Sequence, residues 1–311
     1  MRATFRHVPP GATLLVPLHL LILACSPSEA APDPALRIFY LGNSFTGMAG
    51  GQPNLVAEFL AARGVESVSA AVTAGGETLS GHLATNRGEV PTWRERRITE
   101  RGRQPTKAVA DVTAALRAKR AEWAARAGTL DHAFVDAGPW DVVVVQPGRG
   151  IVEPELFGVL PAARALTKYF RTHSKDATIV LYAAWADPRE GASQPEIDVT
   201  ARRIARENDL VLAPVGTAMH AAFAERPDLD IFVSLGDPHP GRDGGYLIAC
   251  VLYASITGKS PIGLPANLET RYAVERPDKR QNRLVGYRLP EADAKFLQDV
   301  AWNTISAMEP L

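Results

Sequence analysis

Ile38-Phe39-Tyr40-Leu41-Gly42-Asn43-Ser44-Phe45-Thr46 reads as a short apolar strand that stops at Gly-Asn-Ser and passes into a helical segment. Glycine permits a tight or left-handed turn, so the stretch predicts Ser44 at the carboxyl end of a strand. In open α/β sheets that rim is where ligands bind. A serine there acts as a nucleophile when a histidine reaches it. The far end of the chain supplies one in Gly236-Asp237-Pro238-His239-Pro240. The leading expectation from these residues is a serine hydrolase.

Working outward, strand-like and helix-like segments alternate. Candidate strands are Arg37–Leu41, Ser67–Thr73, Asp141–Gln146, Ala177–Ala183 and Leu210–Pro214. Most are β-branched or wholly apolar, as in strands covered on both faces. Helical patterns fall between them at Asn54–Arg63, Glu153–Thr172 and Gln194–Glu207, and a further helical stretch runs from about Gly245 to Ile256. The alternation predicts a parallel sheet of about five strands in a three-layer α/β/α sandwich. Residues 85–130 break the rhythm with a helical, partly basic insertion. Its first half carries Arg94, Arg96, Arg97, Arg101, Arg103 and Lys107, and its second half, Ala108 to Ala127, has an amphipathic stripe. Such charge runs usually mark solvated surface; a lid, an anionic-substrate clamp or a membrane-surface contact are the other readings.

The chain has 311 residues with 34 basic and 34 acidic side chains, so overall charge gives no support to nucleic-acid binding. Residues 1–30 read as an export signal: Arg2 and Arg6 precede an apolar run from Thr13 to Ala24 that is too short for an ordinary membrane span. Ile22-Leu23-Ala24-Cys25 resembles a bacterial lipobox, with Cys25 lipidated and anchoring the mature chain to a membrane. Ser28-Glu29-Ala30 is a competing cleavage site that would release a soluble product. Both readings place the mature domain, residues 36–311, outside the cytoplasm. With Cys25 lipidated or removed, Cys250 has no disulfide partner, and its apolar surroundings predict a buried thiol.

Four further features join Ser44. Gly75-Gly76 directly follows the second strand, where exposed backbone N–H groups can stabilise an oxyanion; a plain strand-to-helix turn would use the same glycines. Gln146 ends the very apolar strand Val142 to Val145 and offers an amide donor at the same rim. Trp185, just beyond the next strand, reads either as pocket wall or as core packing. His239 is held between two prolines as a candidate general base. No Gly-x-Ser-x-Gly, His-Glu-x-x-His, P-loop or Cys/His metal spacing occurs, so no cofactor or metal is expected.

In order and spacing, Gly42-Asn43-Ser44, Gly75-Gly76, Gln146 and Asp237-x-His239 resemble the SGNH (GDSL-type) hydrolase superfamily. More narrowly, Gly-Asn-Ser-Phe-Thr, Gly75-Gly76-Glu77-Thr78-Leu79-Ser80-Gly81-His82 and His239-Pro240…Gly245-Tyr246-Leu247-Ile248-Ala249 are similar to a branch of secreted bacterial SGNH-like proteins. The resemblance implies a flavodoxin-like α/β/α fold and a Ser-His-Asp ester hydrolase acting on a small-molecule or carbohydrate ester. It makes Ser44 the nucleophile, His239 the base and Asp237 its orienting acid. The Ser44 N–H, a glycine N–H at Gly75 or Gly76 and the Gln146 amide form the oxyanion hole, and Asn43, His82 and Trp185 lie near the substrate. The superfamily's acid normally stands three residues before the histidine; here that position is Gly236 and Asp237 is two away. A binding lipoprotein on the same fold and a polysaccharide O-acyltransferase are the alternatives.

Overall fold

Four consecutive side chains of β1 (Leu36–Gly42), Ile38 to Leu41, are fully buried, so the strand has no solvent face. Such a strand belongs inside a sheet covered on both sides. β1 pairs in parallel with β2 (Ser67–Thr73) on one side and β3 (Val142–Val145) on the other. β4 (Thr178–Tyr182) and β5 (Val211–Ala213) complete the all-parallel order β2-β1-β3-β4-β5. These are the five predicted strands, with no end displaced by more than one residue. This computed structural model describes residues 35–47, 51–86, 130, 134–135, 138–151, 154, 158–186, 193–234, 237–276, 279–309 and 311, without the side chains of 85–86, 149–150, 270–276 and 279–285. The predicted export signal with Cys25, and all but the two ends of the predicted insertion, lie outside the described residues.

Helices α1 (Ser44–Gly47), α2 (Gln52–Ala62), α3 (Leu79–Asn86), α4 (Val159–His173), α5 (Gln194–Asn208), α6 (Val215–Glu225), α7 (Arg242–Thr257) and α8 (Glu291–Ser306) cover the sheet. On one face Phe39 of β1 meets Phe134, Trp140 and, from α4, Phe170, with centroids 4.9, 5.4 and 6.4 Å away. On the other, Phe59 of α2 stands edge-on to Tyr246 and Tyr253 of α7 at 5.3 and 6.4 Å. The result is the predicted three-layer α/β/α sandwich, and residues 35–311 form one unit. α7 is buried from Asp243 through Ala254 because it is apolar all round and is packed between α2 and α8. Cys250 lies within it, buried and free.

Local chemistry sets the helix starts. α2 begins two residues before its expected start because Pro53 suits a first helical turn. α4 begins at Val159 rather than Glu153, since Gly158 sits in the left-handed region (φ 58°) and stops the helix from extending backward. Two antiparallel pairs stand apart from the main sheet. β6 (Phe232–Ser234) pairs with β7 (Asp237–Pro240), and β8 (Asn267–Arg276) pairs with β9 (Lys279–Arg288). Among the described residues, no helix is long and apolar enough to cross a membrane.

Candidate active site

The strand-to-helix step after β1 is built by Asn43. Its backbone carbonyl accepts the N–H groups of Thr46 and Gly47, and its side-chain Oδ1 accepts the Phe45 N–H at 3.0 Å. This is an Asx turn, in which the side chain imitates a backbone carbonyl. It turns the chain sharply and leaves Ser44 at the rim. Two neighbouring loops are tied to the same residue: Asn43 Nδ2 donates to the Glu77 carbonyl at 2.9 Å, and the Asn43 N–H donates to Gln146 Oε1 at 3.1 Å. Gly42 serves through close approach rather than a left-handed φ, because a Cβ there would collide with Thr46 Oγ1.

His239 arrives from the other end of the chain on β7. Its Nε2 lies 2.8 Å from Ser44 Oγ across 195 residues of sequence. Its Nδ1 lies 2.6 Å from Asp237 Oδ1, and the same oxygen accepts the His239 backbone N–H at 3.0 Å. The carboxylate thus folds back over its own chain, which brings an acid two residues away onto the imidazole. With Asp237 as acceptor, the ring proton sits on Nδ1 and Nε2 is left to accept the Ser44 hydroxyl proton. The Asp237 and His239 side chains are 40% and 29% exposed, so water screens their pairing in part.

The other predicted site residues fall into two groups. Gly75 and Gly76 lie exposed on the same rim, with open space where side chains would stand, and Gly76 has φ 70°. The Ala74 N–H donates to the Gly42 carbonyl at 3.2 Å, fixing that loop beside Ser44. Asn43, His82 and Trp185, expected near the substrate, are instead buried at 4%, 6% and 2% exposure. Each holds backbone: His82 Nε2 bonds the Gly42 carbonyl at 2.9 Å, and Trp185 Nε1 donates to the Pro238 carbonyl at 2.8 Å. Gln146 is also buried; its Oε1 accepts from Asn43, and its Nε2 has no hydrogen-bond partner among the described residues.

Phe45 went unread in the sequence although it adjoins Ser44. It stacks on Trp185 (4.6 Å, 22°) and meets the edge of His239 (5.3 Å, 82°). Its position directly after the candidate nucleophile was the available signal. Among the described residues, no cluster of three or more His, Cys, Asp or Glu is placed to hold a metal ion.

No family model and no curated protein matches the chain. Solved structures do. A DUF4886 family protein from Bacteroides uniformis superposes with a TM-score of 0.57 at 17% identity, covering 88% of this chain and 96% of that one. An SGNH hydrolase from Slackia heliotrinireducens gives a TM-score of 0.47 at 19% identity, over 72% of this chain and 100% of that one. The chain shares the three-layer α/β/α fold of the DUF4886 family protein. A lipase/acylhydrolase from Enterococcus faecalis gives 0.44 at 17% identity, with 72% and 96% covered. In this fold Ser44, the Gly75-Gly76 loop and Gln146 follow the carboxyl ends of β1, β2 and β3, the edge at which open α/β sheets bind ligands.

Proposed function

We propose that this protein is an exported serine ester hydrolase in which Ser44, His239 and Asp237 act as a triad. The observation that carries the reading is the 2.8 Å approach of His239 Nε2 to Ser44 Oγ, with the imidazole held at 2.6 Å by Asp237. Ser44 Oγ attacks the ester carbonyl while its proton passes to Nε2. The imidazolium, stabilised by Asp237, then protonates the leaving alkoxide, giving an acyl-serine and a free alcohol. Water, deprotonated by the same nitrogen, attacks the acyl-serine, and the carboxylic acid leaves as Ser44 regains its proton. The developing oxyanion is met by the Ser44 N–H and a glycine N–H at Gly75 or Gly76. Gln146 Nε2, a donor with no partner among the described residues, is the third contact in this reading, since a buried donor left unmet is costly.

Export rests on the signal-like residues 1–30, and a carbohydrate ester is the substrate class that an extracytoplasmic location suggests; both belong to the same proposal. The test is fluorophosphonate labelling with peptide mass analysis, together with p-nitrophenyl acetate turnover. Modification at Ser44, absent in Ser44→Ala, is the expected outcome. An unlabelled wild type with no turnover of any acyl ester would favour the binding alternative.

A further inference from the structure

The candidate pair comes from segments 195 residues apart, so something must hold the two loops in register. Two hydrogen bonds within β7 fix the imidazole relative to Asp237, but neither fixes β7 relative to Ser44. Beside the direct contacts of His239 with Ser44 and Phe45, one buried aromatic side chain touches both loops. Trp185 Nε1–H donates at 2.8 Å to the carbonyl of Pro238, the residue between Asp237 and His239. The same indole stacks on Phe45, the residue after Ser44, and Phe45 presses on the edge of the His239 ring.

Trp185 is itself braced. The Ala186 N–H donates to Gln194 Oε1 at 3.0 Å, and His220 Nε2 donates to the Ala186 carbonyl at 2.9 Å. Gln194 Nε2 continues to Asp198 Oδ1 at 2.7 Å, and Thr217 Oγ1 reaches Asp198 Oδ2 at 3.1 Å. The starts of α5 and α6 thereby grip the backbone beside the indole. At 2% exposure Trp185 is packed within the core.

We infer that Trp185 is a positioning residue that sets the reach of His239 Nε2 to Ser44 Oγ by holding the Pro238 carbonyl and the Phe45 ring together. This rests on the hydrolase reading for its kinetic consequence, though not for its geometric one. Reacting groups displaced by a fraction of an ångström lose rate steeply while ground-state binding is untouched.

The experiment uses the full chain carrying Trp185→Phe, which keeps an aromatic ring in the core and removes only the N–H and the wider stack. Turnover of p-nitrophenyl acetate is expected to fall about tenfold in kcat, with KM within about twofold. In a His239→Ala background the same substitution is expected to change nothing, because its effect passes through the imidazole. The downfield proton resonance of His239 Nδ1–H, followed by NMR, is expected to broaden or vanish. Phe45→Leu, which keeps the indole bond, serves as the second variant and is expected to lower kcat in the same sense by less.

An unchanged kcat with an unchanged resonance overturns the inference. So does an equal loss of residual activity in the His239→Ala background, which would mark Trp185 as structural only. If the wild type neither labels nor hydrolyses, the hydrolase reading fails separately, and the resonance alone decides whether Trp185 positions the imidazole.

Discussion

Asn43 employs its backbone N–H and carbonyl and both ends of its side-chain amide, and this explains why an aspartate would not serve in its place. Its Nδ2 donates to the Glu77 carbonyl, a contact that a carboxylate cannot make. Asn43→Asp would set a buried negative charge against a carbonyl oxygen. The expected cost is about 1–3 kcal/mol of stability, read by thermal or urea unfolding; an unchanged midpoint would contradict the argument. At the same scale, His239→Ala is expected to cost about 10³-fold in kcat and Asp237→Ala about 10–10²-fold. In the proposed mechanism the half-solvated carboxylate only orients and stabilises the ring, whereas the imidazole moves the proton. Equal or reversed losses in steady-state kinetics would show that the acid does more than orient. Ser44 and His239 were legible as residues, but the burial of Asn43, His82 and Trp185 was not. Sequence places these side chains near the rim without saying which way they face.

Among the elements, the five core strands were legible because they are continuous apolar runs, and a chain segment buried on both faces has little freedom to look otherwise. The β6–β7 pair was not. Asp237–Pro240 holds two prolines and reads as a loop, and it becomes a strand only by pairing with the three residues Phe232–Ser234. The β8–β9 hairpin escaped notice for a different reason, since β9 opens on five consecutive polar residues, Lys279 to Arg283, and shows no alternation there. The junction from β7 into α7 is tight: a Cβ on Gly244 would strike the Ile231 carbonyl. Gly244→Ala is therefore expected to cost about 1–3 kcal/mol, because backbone on both sides must shift. Loss of His239-dependent activity should accompany the lower unfolding midpoint. A variant as stable as wild type would mean that the junction yields easily.

For the whole molecule, stability has to come from packing, since Cys250 is the only cysteine among the described residues and is free. Burial pushes its thiol well above the ordinary range. The thiolate is then absent from the folded protein through neutral and mildly alkaline pH, and it forms readily only on unfolding. Ellman's reagent is expected to leave Cys250 untouched at pH 8 and to titrate it fully in guanidinium; rapid native labelling would contradict the buried placement. The overall sandwich was legible from the alternation of segments. The pairing across the rim required knowing how the sheet brings its edges together.

That pairing has a consequence for the life of the chain. Ser44 is made early and its partner histidine late, so neither a nascent fragment nor a clipped half carries both. On the hydrolase reading, chemical competence and completion of the fold coincide, and turnover by the finished protein doubles as a gauge of intact molecules. If the proposed export holds, a precursor still being threaded through a channel stays inert until its last quarter has emerged and docked.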